Sequence, residues 1–253
     1  MELNPFSYEF HEDPYPTYRW LRDNAPLHRN DELGFWALSR YRDVLAASHD
    51  WASYSSAFGT TVERLDPALF EATPMMIFMD PPRHDRLRKL VGRVFTPRRV
   101  ADLEPFIRRT VVGLLEALRA RGGGDFVKEV SALLPMEVIF TMLGVPDADR
   151  RELRHWMDTS LERDDGSPAI PERALLAMMN MMQYWKGLLE QLRAKRNDGL
   201  ISALLDAEVE TDDGGTTRLT DGEIIGFCSL IGSAGNETVT KLLANAAVLF
   251  SRH

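Results

Sequence analysis

Two short stretches carry residue types that packing alone does not call for. IGSAGNETVTK, residues 231–241, sets Gly235, Asn236, Glu237 and Thr238 inside a segment that otherwise reads as one long helix. A carboxylate beside a hydroxyl can accept, hold and pass on a proton. Gly235 weakens a helix by about 1 kcal/mol relative to Ala, and local helix opening beside polar groups recurs at functional sites, so an opened turn is expected here. Taken singly, a Thr at position 238 bonds back to the carbonyl of Ala234, and a Gly admits a neighbouring helix. The combination is what points to chemistry. In MDPPRHDRLRKLVGRVFTPRR, residues 79–99, His84 and Arg88 lie four apart. On a helix they share a face and offer paired donors suited to a carboxylate or phosphate, the alternative being a solvated basic surface.

These groups need elements to position them. Asp80 as N-cap and Pro81 at the first helical position predict a helix over 81–95. Thr220 followed three residues later by Glu223 predicts a reciprocally capped helix starting near Asp221. With no later proline, that helix can run for about 30 residues, roughly 45 Å, the width of a domain. Phe227, Ile231, Ala234, Thr238 and Leu242 recur at helical spacing, which places the Thr238 hydroxyl on an apolar face and so in a core. Further helices are expected over 100–121, 131–144, 147–163, 171–196 and 198–209, with GGGD at 122–125 and TDDGGTT at 211–217 as breaks. Upstream, a short helix ends before Pro26, LHRNDELGFWALSR suggests a hairpin, and YRDVLAASHD a second short helix. Residues 51–79 read as a long irregular loop with a helical turn at PALFEA. A mostly α, single domain with a small N-terminal β-sheet follows.

Composition narrows the function classes. A chain of 253 residues with 44% hydrophobic and 27% charged residues is globular, and its net charge of -8 argues against nucleic acid as a partner. One cysteine, Cys228, excludes an intrachain disulfide and a multi-Cys metal cluster, so no metal ligands are assigned. No signal peptide and no membrane span can be read from the sequence, and a cytoplasmic protein is expected. Yet Arg83, Arg86, Arg88, Lys89, Arg93, Arg98 and Arg99 face a single acid, Asp85, within residues 83–99. A basic island on an acidic molecule suits an acidic protein partner; RNA is disfavoured because stacking aromatics are missing there.

MDPPRHDRLRKLV and, some 150 residues on, AGNET together resemble the cytochrome P-450 family of haem-thiolate monooxygenases: an H-x-x-x-R helix, then an A-G-x-[DE]-T motif on a long helix crossing the haem. The resemblance extends across the chain and is closest to the soluble bacterial type. It implies that His84 and Arg88 hold a propionate of haem b, and that Ala234 and Gly235 lie against the distal face. Thr238 would hydrogen-bond the oxygen species there, with Glu237 relaying protons. Val239 departs from the family's frequent second Thr or Ser. Met76, Ile77 and Leu230 are implied wall residues for a hydrophobic small-molecule substrate, and the methionines at 75, 76, 178, 179, 181 and 182 suit an adaptable apolar wall or ordinary packing. A ferredoxin-type acidic redox partner would dock at 83–99.

The family's Cys-ligand loop and preceding E-x-x-R helix are not found in these residues. Glu116 with Arg119 and Glu190 with Arg193 match E-x-x-R but read as surface ion pairs, and Cys228 as a buried structural thiol. Residues 1–253 are therefore expected to be the N-terminal part of one haem-monooxygenase domain, with the axial thiolate beyond residue 253. The competing expectation is a haem-free helical ligand-binding or interaction protein derived from that fold.

Overall fold

Short elements with local caps open the chain in the computed structural model, which describes residues 3–62, 71, 73–165, 167, 169–210 and 215–253. α1 (Tyr8–Glu12) is capped by the Ser7 hydroxyl, and α2 (Tyr15–Asn24) stops before Pro26. β1 (Leu27–Asn30) and β2 (Phe35–Leu38) form the expected antiparallel hairpin, with Leu27 opposite Leu38. Buried Asn30 closes its turn by accepting from Leu33 N–H while its amide donates to Leu3 O. α3 (Tyr41–His49) follows. Most of PALFEA lies outside the described residues.

The helical body is built from α4 (Arg83–Val94), α5 (Pro97–Asp102), α6 (Glu104–Ala120), α7 (Leu133–Leu143), α8 (Arg150–Ser160), α9 (Glu172–Ala194), α10 (Leu200–Asp206) and α11 (Asp221–Arg252). Three boundaries differ from the sequence reading. α4 begins at Arg83 without a side-chain cap, because the Asp80 carboxylate is taken by the Ser55 hydroxyl and by Ser56 N–H at 3.0 Å, fastening the preceding loop instead. Those bonds hold the Asp80 carboxyl below the usual carboxylate range, the Ser55 bond contributing most. The expected helix 100–121 is two, because Thr96 caps a new start ahead of Pro97, and Pro105, which lacks an N–H, restarts the chain after Leu103. The expected helix 198–209 stops at Asp206, and β3 (Glu208–Glu210) pairs with β4 (Thr216–Arg218) in a second antiparallel hairpin, its ends tied by the Arg218–Glu208 ion pair.

The core lies where α8 and α9 pack together and where α11 crosses α7, α9 and α10. Leu90, Phe140, Leu143, Leu153, Trp185, Leu204 and Ile224 are essentially inaccessible there. At about 1.5–3 kcal/mol per large apolar side chain, this cluster supplies most of the driving force that places α11. A 3₁₀ turn, Met76–Phe78, packs against both α4 and α11 and so joins the two stretches that carried the candidate chemistry. Among the described residues no helix is long and apolar enough to cross a membrane.

Candidate functional site

α11 is fixed at its first turn from two directions. The Thr220 hydroxyl accepts from Glu223 N–H at 3.2 Å and the Glu223 carboxylate accepts from Thr220 N–H at 2.9 Å, completing the expected capping box. The other Glu223 oxygen takes the Arg86 guanidinium of α4 in an ion pair, with Glu223 only 4% exposed. Arg86, assigned from the sequence to a free basic surface, is therefore an internal strut. Arg93 is likewise engaged, donating to Glu208 O. Arg83, Arg88, Lys89, Arg98 and Arg99 remain exposed, with no ion-pair partner among the described residues.

The polar residues of IGSAGNETVTK divide between two faces. Gly232, Gly235, Asn236 and Thr240 turn inward or toward neighbouring elements. A Cβ on Gly232 would stand 2.0 Å from Met157 Cε and one on Gly235 would stand 2.8 Å from Ile139 Cδ1, so both glycines let side chains of α8 and α7 reach the α11 backbone. Asn236 is buried, and Thr240 donates to Ser131 O at 3.2 Å, pinning α11 to the π-helical turn Val127–Ser131. Ala234, Glu237 and Thr238 lie on the other side and are exposed.

Two expectations change here. α11 is an unbroken α-helix from Asp221 to Arg252, with no opened turn, and the Thr238 hydroxyl donates to Ala234 O at 3.0 Å. Nor is that hydroxyl in a core. The stripe is buried at Phe227, half-buried at Ile231 and open from Ala234 on, reaching 67% exposure at Leu242. The described elements cover only its first turns, and Val248, Leu249 and Phe250 stay exposed beyond it. Glu237 pairs with Lys241 one turn on, at 2.5 Å.

On α4, His84 is partly exposed and its Nδ1 lies 3.0 Å from the Asp85 carboxylate, while Arg88 faces solvent; Leu87, Leu90 and Val91 form the inward face. Met76 is buried in the core, Leu230 is half-buried against it and Ile77 is 40% exposed. Of the α9 methionines, Met181 is buried, Met178 packs against the core and Met179 is exposed, while Met182 Sδ accepts from the Thr73 hydroxyl at 3.4 Å. The E-x-x-R pairs do not form ion pairs. Arg193 reaches Asp221 instead of Glu190, and Glu116 and Arg119 have no ion pair among the described residues. Cys228 is fully buried, and burial pushes its thiol pKa far up.

No family model matches the chain. Individual relatives do. It is 44% identical to the putative cytochrome P450 123 of Mycobacterium tuberculosis over 99% of this chain and 61% of that one, and 38% identical to the vitamin D(3) 25-hydroxylase of Pseudonocardia autotrophica over 98% and 60%. The solved structure of cytochrome P450 CYP109Q5 from Chondromyces apiculatus superimposes with a TM-score of 0.80 at 33% identity, covering 98% of this chain and 61% of that one. The chain belongs to the cytochrome P450 family. It spans about three-fifths of the length of the P450 relatives it matches.

The cofactor implied for a P450 is haem b. The donor set in this chain fits it. Partly exposed His84 and exposed Arg88 suit carboxylates, and Ala234 and Thr238 put a methyl and a small hydroxyl on the uncovered part of the stripe. Cys228 does not fit the axial position. A cysteine ligates iron as its thiolate, and burial in the packed core disfavours that form of Cys228.

Proposed function

We propose that the protein is a haem-thiolate monooxygenase that oxidises a hydrophobic small molecule, using dioxygen and electrons from an acidic, ferredoxin-type partner in the cytoplasm. What carries this reading is the division of α11: Gly232 and Gly235 face α8 and α7, Asn236 is buried and Thr240 bonds the π turn, leaving Ala234 and Thr238 on an open face. Residues 1–253 then form part of a single haem domain. His84 and Arg88 would hold a propionate, and Ala234 would stand against the macrocycle; Gly235, assigned there from the resemblance, instead packs against Ile139 of α7. When bound, the haem would supply the activation of dioxygen.

This chain's residues would manage the protons. Thr238 Oγ1 donates to Ala234 O and keeps its lone pairs free to accept a hydrogen bond from a proton-bearing oxygen above the open face. Glu237, exposed and held by Lys241, would pass protons from solvent to that position. Met76, Ile77 and Leu230 would stand at the substrate wall, Ile77 being the one already exposed. Arg83, Lys89, Arg98 and Arg99 would receive the acidic partner.

The carbon monoxide difference spectrum of the reduced intact protein tests the reading. A red-shifted, thiolate-type Soret band is expected, and a protein without haem would overturn it. Thr238→Ala should leave the band intact and lower product formed per electron consumed by about a hundredfold, the low end of the range for losing one proton-transfer group. The unbroken α11 and the Thr238–Ala234 bond favour the haem-free helical binding protein as second reading. A folded protein with no Soret band would establish it.

A further inference from the structure

A cleft of about 700 Å³ opens between α6, α7 and α8, lined by none of the residues assigned above. Its floor is apolar, made by Phe106, Leu133, Met136 and Phe140, and α8 carries Arg151 and Arg154 at its edge. Arg150 is spent internally, bonding Glu137 at 2.6 Å, Asp147 at 2.9 Å and Val145 O at 3.3 Å. Arg151 is exposed with no ion pair among the described residues, and Arg154 is paired with Asp158 at 3.6 Å, so Arg151 is the available cation. Three residues apart, they share one helical face near the N-terminus of α8, where the backbone also favours an anion.

Thr141 lines the opposite wall from α7, with its hydroxyl sealed from the cleft. The charge balance sets the kind of anion. Arg150, Arg151 and Arg154 against Glu137 and Asp147 leave one net positive charge on the lining, which suits a monoanion rather than a phosphate dianion. The volume lies in the range of small-molecule sites.

We propose that this cleft binds a medium-chain organic carboxylate, its tail on Phe106, Met136 and Phe140 and its headgroup at Arg151, with Arg154 beside it. The site is separate from the Ala234–Thr238 face, so it does not depend on the haem reading.

Decanoate titrated into the intact protein, followed by amide hydrogen exchange, tests it. Saturable protection is expected in 133–141 and 150–154. Arg151→Glu alters an exposed, unpaired side chain and should weaken binding by about tenfold or more, the worth of one charge-assisted bond. 1-Decanol, which keeps the tail without the charge, should give no protection there. Protection confined to other segments, equal affinity in Arg151→Glu, or equal protection by decanol would each overturn the proposal.

Discussion

Removing the Arg86 guanidinium is the sharpest test of how α11 is held. Arg86→Ala would leave the Glu223 carboxylate, 4% exposed, with Thr220 N–H as its only hydrogen-bond donor. Stranding one partner of a buried ion pair costs about 3–5 kcal/mol. The Arg86 side chain is itself 33% exposed, so water can approach the pair and about 2–3 kcal/mol is the better expectation. Glu223→Gln keeps a cap-competent side chain at the third helical position and removes the charge. Its cost should be about 1–2 kcal/mol, because Arg86 can turn to solvent. The double variant should cost less than the sum, with a coupling of about 1–2 kcal/mol, since no carboxylate is then stranded. Urea unfolding followed by circular dichroism reads all three. At a slope of about 3 kcal/mol/M, Arg86→Ala should lower the midpoint by about 0.7–1 M. A shift under about 0.2 M, or a double variant that is strictly additive, would refute the strut.

Three further outcomes follow from particular contacts. A Cβ on Gly226 would stand 2.5 Å from Pro74 O, a backbone atom that cannot rotate away, so Gly226→Ala should lower Tm by about 3–10 °C; Gly92, exposed on α4 with nothing within 4 Å, should tolerate Ala or gain from it. Asp80 has a lowered folded pKa, so its hold on the Ser55–Ser56 loop is fully present above the ordinary carboxylate value and is lost as pH falls through the folded one. Hydrogen exchange over 53–57 should therefore show protection fading at acid pH in the wild type and weakened protection in Asp80→Asn at neutral pH; equal protection in the two at neutral pH would remove the staple. Reversing Arg83 and Lys89, which are exposed and unpaired, should slow reduction by an acidic redox partner in a salt-dependent manner, whereas a rate insensitive to both reversal and salt would dispose of the docking surface.

What the sequence disclosed was local. The capping box at Thr220–Glu223, the β1–β2 hairpin and the helical periods need only neighbouring residues to form, and each is in place. What it concealed depends on partners far along the chain. Nothing near Arg86 identifies Glu223, 137 residues away, and nothing near Thr240 identifies Ser131, 109 away. A basic run consequently read as free surface where part of it is a strut. The β3–β4 hairpin was missed because its strands are three residues each, too short for alternation to outweigh the helical period before it.

The same limit explains α11. Periodicity correctly put Phe227, Ile231, Ala234, Thr238 and Leu242 in one stripe, but a stripe says nothing about where its cover stops. Gly232 and Gly235, rotated around the helix from that stripe, are the residues that α8 and α7 reach, and Asn236 is buried beside them. An apolar stripe with a hydroxyl in it, tightly packed on its flank and open on its own face, is what a helix needs if it is to meet a flat, mostly apolar partner that also requires a proton.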